Sequence, residues 1–315
     1  MTFLRLLAPL LALSLFGPLA AAQPGPAPAA KSLRVFFIGN SVTDNINYEG
    51  LATLAKSRGI EQVWGRHMIP GAPLRFIWNN PEGGFRRSPY GSAREALAKH
   101  SWDVITLQPF DRKLDLPADQ ADLPVLKEII DTALTQNPAT RFLIYARWPR
   151  MRQQGKSMKY DAGAFDPNKP GGPIDLATVD AYASNWLKKY TGGWDGTNET
   201  RDYFERVVAA LREAYPQIRD QIELVPVGDT LLALDESMRA GKIEGYTNVF
   251  QFYKDTIHMN PLGSYTTGCV FFAQIYRQSP VGLPTAPYGE FPAPLSLAIQ
   301  QSAAAVVSRG VELRP

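Results

Sequence analysis

Six residues, Leu33-Arg34-Val35-Phe36-Phe37-Ile38, constrain the fold more than any other stretch of this chain. A β-rich run with almost no polar alternation is satisfied as a strand covered on both faces, and such strands belong to parallel sheets flanked by helices. The pattern recurs at Trp102–Leu107, Arg141–Ala146 and Ile222–Val227, with a weaker strand expected around Gln62 to Gly65. Helical segments alternate with these runs: Tyr48 to Ser57, Ala93 to Lys99, Pro124 to Gln136 and Gly228 to Arg239. Thr200 to Tyr215 is amphipathic, with Phe204, Val207, Val208 and Leu211 on one face. A last long helix is expected from Pro261, proline being favoured at the first helical position. Strands and helices in this alternation predict an α/β fold with a mainly parallel sheet and helices on both faces.

The N-terminus reads as a separate segment. A short basic start, Met1 to Arg5, precedes an apolar run to Leu19, and Ala20-Ala21-Ala22 supplies a small-residue cleavage site. The run is shorter than the about 20 apolar residues of a membrane-spanning helix. Residues 1–22 are therefore expected to be a signal peptide, followed by a Pro/Ala-rich linker at 23–31. Export to the periplasm or beyond follows, with no integral membrane segment in the mature chain. Residues 32–315 show no internal repeat and no second core, so one domain is expected, carrying a Gly-, Pro- and Lys-rich insertion near 149–198. The 33 basic and 30 acidic side chains nearly balance, which gives no reason to expect a nucleic-acid partner. The lone cysteine, Cys269, rules out an intrachain disulfide and reads as a buried structural thiol.

In a parallel sheet ligands collect beyond the carboxyl ends of the strands. Ser41 falls there, two residues past the first strand, where Gly39-Asn40-Ser41 can lift a hydroxyl clear of the sheet. Near the other end, Asp255-Thr256-Ile257-His258 puts a carboxylate within reach of imidazole Nδ1, leaving Nε2 outward as a base. The chain has only three histidines, and neither His67 nor His100 has a carboxylate at comparable spacing; both read as partly exposed loop residues. No metal-binding spacing is present and no cofactor is expected.

Phe37-Ile38-Gly39-Asn40-Ser41-Val42-Thr43 resembles the first block of the SGNH (GDSL-type) hydrolase superfamily, and Asp255-x-x-His258 its last. The resemblance implies a three-layer α/β/α sandwich, SGNH/flavodoxin-like, with about five strands. It implies Ser41 as nucleophile, His258 as base and Asp255 as its orienter. It also implies an oxyanion hole of three donors: the N–H groups of Ser41 and a glycine, and a side-chain amide. The matching glycine is Gly71, with Gly65, Gly83 and Gly84 as alternatives. Where the superfamily carries Asn after its third core strand, this chain has Gln108, whose amide can also donate.

On this reading the protein is an exported serine ester hydrolase that removes acetyl or other short acyl groups from a carbohydrate. Its substrate is then an acylated small molecule or polysaccharide. Arg147, Trp148, Phe110 and Trp194 are the expected substrate-binding residues, tryptophan faces to stack on sugars and arginine to hold acidic groups. The alternatives are a broad arylesterase, lysophospholipase or thioesterase using the same three residues, and a non-catalytic carbohydrate-binding protein of the same fold.

Overall fold

A computed structural model describes residues 31–110, 112–158 and 175–310. The expected signal peptide, and the linker up to Ala30, lie outside the described residues, as does the middle of the insertion. The centre of the sheet is β1 (Lys31–Gly39), which pairs in parallel with β2 (Ile60–Met68) on one side and with β4 (Val104–Leu107) on the other. Beyond β4 come β5 (Arg141–Ala146) and β8 (Ile222–Pro226), again parallel. A two-residue strand, β3 (Phe85–Arg86), adds an antiparallel edge to β2, so the sheet has six strands in the order β3-β2-β1-β4-β5-β8. The interior strands are apolar because both faces are covered: Val35, Phe36, Phe37 and Ile38 are at most 1% exposed, and all of β4 is buried.

Two groups of helices cover the sheet. One comprises α1 (Tyr48–Lys56), α7 (Val227–Arg239), α8 (Pro261–Tyr276) and α9 (Ala293–Val307), in mutual contact. The other comprises α2 (Leu74–Asn79), α3 (Ala93–Lys99), α4 (Asp122–Leu134) and α6 (Arg201–Ala214). The result is a three-layer α/β/α sandwich. Helix α6 buries Tyr203, Phe204, Val207, Val208 and Leu211 and turns its charges outward. Helix α8 is apolar nearly all round because α1, α7, α9 and β8 enclose it; Pro261 opens it, and Asn260 caps it by accepting from the N–H groups of Leu262 (2.9 Å) and Gly263 (3.2 Å).

Several expectations change. Strand β2 runs well past Gly65, and His67 lies inside it, not in an exposed loop. Its ring is buried, accepts from Ala93 N–H at Nδ1 (3.2 Å) and contacts Gly83 O through Nε2 (3.1 Å). Burial lowers its pKa, so the neutral ring is a structural bridge between β2, the β3 turn and α3. Helix α8 is not the last long helix, since α9 follows and packs on it. Within the insertion the described residues form a small hairpin, β6 (Arg152–Gln153) with β7 (Lys156–Ser157), and a short helix, α5 (Tyr182–Trp186). The hairpin turn, Gln154-Gly155, is left-handed at both positions (φ 51° and 76°), and Asp180 accepts both of its N–H groups. Cys269 is buried and unpaired, and burial raises its thiol pKa to about 12. Among the described residues no helix is long and apolar enough to cross a membrane.

Candidate active site

Numbered among the parallel strands alone, the sheet order is 2-1-3-4-5, and connections leave β1 and β4 in opposite directions. The crevice between their carboxyl ends is the place where such a sheet binds ligands. The Gly39-Asn40-Ser41 turn opens onto it, and Gln108, following β4, lies beneath that turn. Three buried amide side chains build the turn. The Oε1 of Gln108 accepts from Asn40 N–H (3.1 Å) and from the Thr43 hydroxyl (3.0 Å), while its Nε2 donates to Pro109 O (3.3 Å). Asn40 Oδ1 accepts from Val42 N–H (3.1 Å), and its Nδ2 donates to Ala72 O (3.2 Å), tying the turn to the Pro70–Pro73 loop. Glycine is required at position 39 by this convergence: a Cβ there would overlap the Thr43 hydroxyl and lie 2.9 Å from Gln108 Cβ.

The third amide, Asn45, joins the two ends of the chain. Its Nδ2 donates to Ser41 O (3.2 Å), and its Oδ1 accepts from Met259 N–H. That staple holds the serine turn against the loop before α8. In this loop Asp255 Oδ1 accepts from the N–H groups of Ile257 (2.8 Å) and His258 (2.7 Å), and its Oδ2 meets His258 Nδ1 at 2.9 Å. His258 Nε2 then lies 2.9 Å from Ser41 Oγ, although 217 positions separate the two residues. Burial pushes the Asp255 pKa up, but hydrogen bonds from the His258 ring and from the His258 and Ile257 N–H groups outweigh it. The carboxyl ends below its ordinary value. An ionised carboxylate on Nδ1 fixes the tautomer that leaves Nε2 able to accept a proton.

Ser41 opens into a surface pocket of about 580 Å³, with Val42, Pro70, Gly71, Phe110 and Ile257 as its uncharged walls and Arg150 and Lys254 as its cations. Gly71 is the glycine on this wall; it is left-handed (φ 66°) with open space around it, so backbone conformation, not crowding, requires glycine there. Neither Ser41 N–H nor Gly71 N–H makes a hydrogen bond among the described residues. The alternatives lie elsewhere: Gly65 packs on Phe36 inside β2, and Gly83 and Gly84 form the turn into β3.

Some expected site residues are placed differently. Gln108 does not line the pocket; its carboxamide faces the underside of the serine turn and acts there as a strut, so the expected side-chain oxyanion donor is not presented. Trp148 is wholly buried, its Nε1 donating to Ile257 O (2.6 Å) and its ring lying edge-on to Tyr145 and Tyr253. Arg147 is also buried; it donates to Trp148 O (2.6 Å), pairs with the buried Glu199 (3.7 Å) and lies behind the Phe110 ring. Both therefore support the pocket from within, because the chain leaving β5 turns into the core and not along the rim. Phe110 does line the pocket, whereas Trp194, though 62% exposed, does not. His100 caps the C-terminal end of α3 and is also absent from the pocket wall. Asn40 and Asn45 were not anticipated as site residues. Their only signal was amides one residue before and four after the serine, in a segment otherwise headed for the core.

The strut role makes a specific prediction. Gln108→Ala is expected to lower kcat for a short ester about 10²-fold, the scale of an ångström-level misplacement of reacting groups. Loss of an oxyanion donor costs about 10²–10³ and would look the same. Gln108→Glu separates them, since a carboxylate still accepts from Asn40 and Thr43 but cannot donate. The Gln108→Glu variant is expected to be well above Gln108→Ala in activity; equal loss in both would return the side chain to the oxyanion hole.

No protein-family model and no curated protein matches the chain. Among solved structures it is similar to a DUF4886 family protein from Bacteroides uniformis, at 16% identity and a TM-score of 0.54, over 90% of this chain and 98% of the other. A GDSL-like lipase from Parabacteroides merdae superposes at a TM-score of 0.43 with 11% identity, over 78% of this chain and 96% of that one. The lipopolysaccharide acetyltransferase periplasmic domain of Salmonella ser. Paratyphi A gives 0.41 and 14%, over 78% and 85%. The first of these likenesses is one of fold. Strand order and layering put the chain in the doubly wound α/β/α class.

Proposed function

We propose that the chain is a serine ester hydrolase working through an acyl-enzyme. The observation that carries this reading is the unbroken sequence of contacts Asp255 Oδ2–His258 Nδ1 and His258 Nε2–Ser41 Oγ, each 2.9 Å, at the mouth of a pocket. In the first step His258 takes the Ser41 proton as Oγ attacks the ester carbonyl. The tetrahedral oxyanion is held by the N–H groups of Ser41 and Gly71, and the His258 proton passes to the departing alcohol. In the second step water, deprotonated by His258, attacks the acyl-enzyme and releases the carboxylic acid, restoring Ser41. Asp255 stabilises the imidazolium in both steps.

The preferred substrate in this reading is an acetyl or similarly short acyl group on a carbohydrate. Small apolar walls at Val42, Pro70 and Ile257 suit a short acyl chain, and the open pocket mouth suits a bulky alcohol. The signal-peptide-like N-terminus agrees with an extracellular or periplasmic polymer. The burial of Trp148 removes the stacking platform expected from sequence.

A fluorophosphonate probe tests the reading directly. One adduct per chain, located by peptide mass on Ser41 and blocked by a short ester, is expected. Folded protein that takes no label, or takes it elsewhere, would leave a non-catalytic member of the fold as the better description.

A further inference from the structure

The pocket around Ser41 carries an unbalanced positive charge on the loop that presents the histidine. Of its charged lining residues, Asp255 is committed to His258 and two loop N–H groups, and Arg150 is anchored on the buried Glu199, which it shares with Arg147, through its backbone N–H (2.8 Å) and Nε (3.4 Å). Lys254 is different. It is exposed, it lines the pocket, and among the described residues its ammonium has no carboxylate partner.

The backbone beneath Lys254 is also fixed relative to the reacting atoms. Its N–H donates to His258 O (2.7 Å), closing the loop on itself. Three further bonds lace this loop to the segment after β5: Met151 N–H to Thr256 O (2.9 Å), Trp148 Nε1 to Ile257 O (2.6 Å) and Tyr253 hydroxyl to Pro149 O (3.1 Å). A lysine one residue before the histidine's carboxylate partner therefore stands on a platform tied down by hydrogen bonds and lines the pocket that holds Ser41. Facing a pocket with no unpaired acid among its described walls, its charge is left for the substrate to neutralise.

We propose that Lys254 determines specificity, selecting esters that carry a carboxylate or similar anion close to the scissile bond. This rests on the ester-hydrolase reading and adds the charge of the substrate to it. The anion can sit on the acyl side or on the alcohol side; the shared chemistry is a negative group within reach of the Lys254 ammonium.

Binding to a Ser41→Ala protein tests this without turnover. Two isosteric pairs distinguish the sides: 4-acetoxybenzoate against 4-acetoxybenzamide, and monophenyl succinate against its terminal amide. At low salt the acid of at least one pair is expected to bind about fivefold more tightly than its amide. The preference should fall below about twofold in Ser41→Ala/Lys254→Gln and at about 0.5 M salt, where the Debye length is only a few ångströms. Acids and amides bound alike in both pairs, or a preference that survives Lys254→Gln, would overturn the inference. Turnover by the wild-type chain separates the two proposals. If it hydrolyses none of the four compounds while the acid preference holds, the anion subsite stands and the hydrolase reading falls. If it hydrolyses acid and amide equally well and binds them alike, only the subsite falls.

Discussion

Ser41→Ala is expected to lower kcat on 4-nitrophenyl acetate by about 10⁶-fold, the scale seen when the nucleophile of such a triad is removed. Thr43, the nearest hydroxyl by sequence, cannot take its place: it is buried and donates to Gln108 beneath the turn. What survives is the stabilisation offered by the N–H groups of Ser41 and Gly71, which alanine at position 41 leaves intact. The fold should not notice the change. Among the described residues the Ser41 side chain bonds only to His258, its carbonyl still accepts from Asn45, and Gln108 holds the turn through Asn40 and Thr43. Stability within about 0.5 kcal/mol of the parent is therefore expected from thermal or urea unfolding. A variant equally stable yet still active within tenfold of the parent would show that the ester chemistry does not pass through Ser41.

How much of this could be read in advance depended on how local the determining interactions are. The four buried strands, the amphipathic α6 and the Pro261 start of α8 announce themselves in runs of six to sixteen residues, where burial and periodicity act on neighbours in the chain. The Ser41 and Asp255–His258 segments were legible for a related reason: a turn after a strand and a three-residue spacing are local geometries. Helix α9 was not, because its alanine-rich surface carries little amphipathic contrast and its place is set by contact with α7 and α8. The tryptophan and arginine after β5 were misplaced at the rim for the converse reason. Large and charged side chains suggest solvent, but Trp148 finds Ile257 O and Arg147 finds Glu199, partners 109 and 52 positions away that only the fold supplies. The inward turn of Gln108 was hidden along the same lines. Its chemistry permits donation into the pocket, and only the approach of Asn40 and Thr43, permitted by Gly39, turns its oxygen inward.

Asp255→Asn is the second change expected to cost most, about 10⁴-fold in kcat, with little change in KM. Asp255 has two tasks on two oxygens: Oδ1 accepts from the Ile257 and His258 N–H groups, and Oδ2 accepts from the His258 ring. An asparagine can keep the first task by leaving its carbonyl on the loop N–H groups. Its NH₂ then faces Nδ1 and forces that nitrogen to accept, which puts the ring proton on Nε2, against Ser41 Oγ, where a base is needed. The alternative flip restores the tautomer but sets NH₂ against two backbone donors. Either way the loop and the chemistry can no longer both be satisfied, whereas a carboxylate satisfies them together.

The pH behaviour follows from the same hydrogen bonds. The carboxyl of Asp255 titrates below its ordinary value in the folded chain, so its stabilising contribution is present above the unfolded value of about 3.9 and is lost as pH falls through the folded one. The stability gap between parent and Asp255→Asn should accordingly be widest near neutrality and close on acidification, as read from melting temperatures between about pH 7 and pH 3. Through the same range above about pH 5 the parent's carboxylate stays charged, so any change in kcat there belongs to another group. An asparagine variant active within tenfold of the parent at neutral pH would mean that the carboxylate serves the loop alone and leaves the imidazole to orient itself.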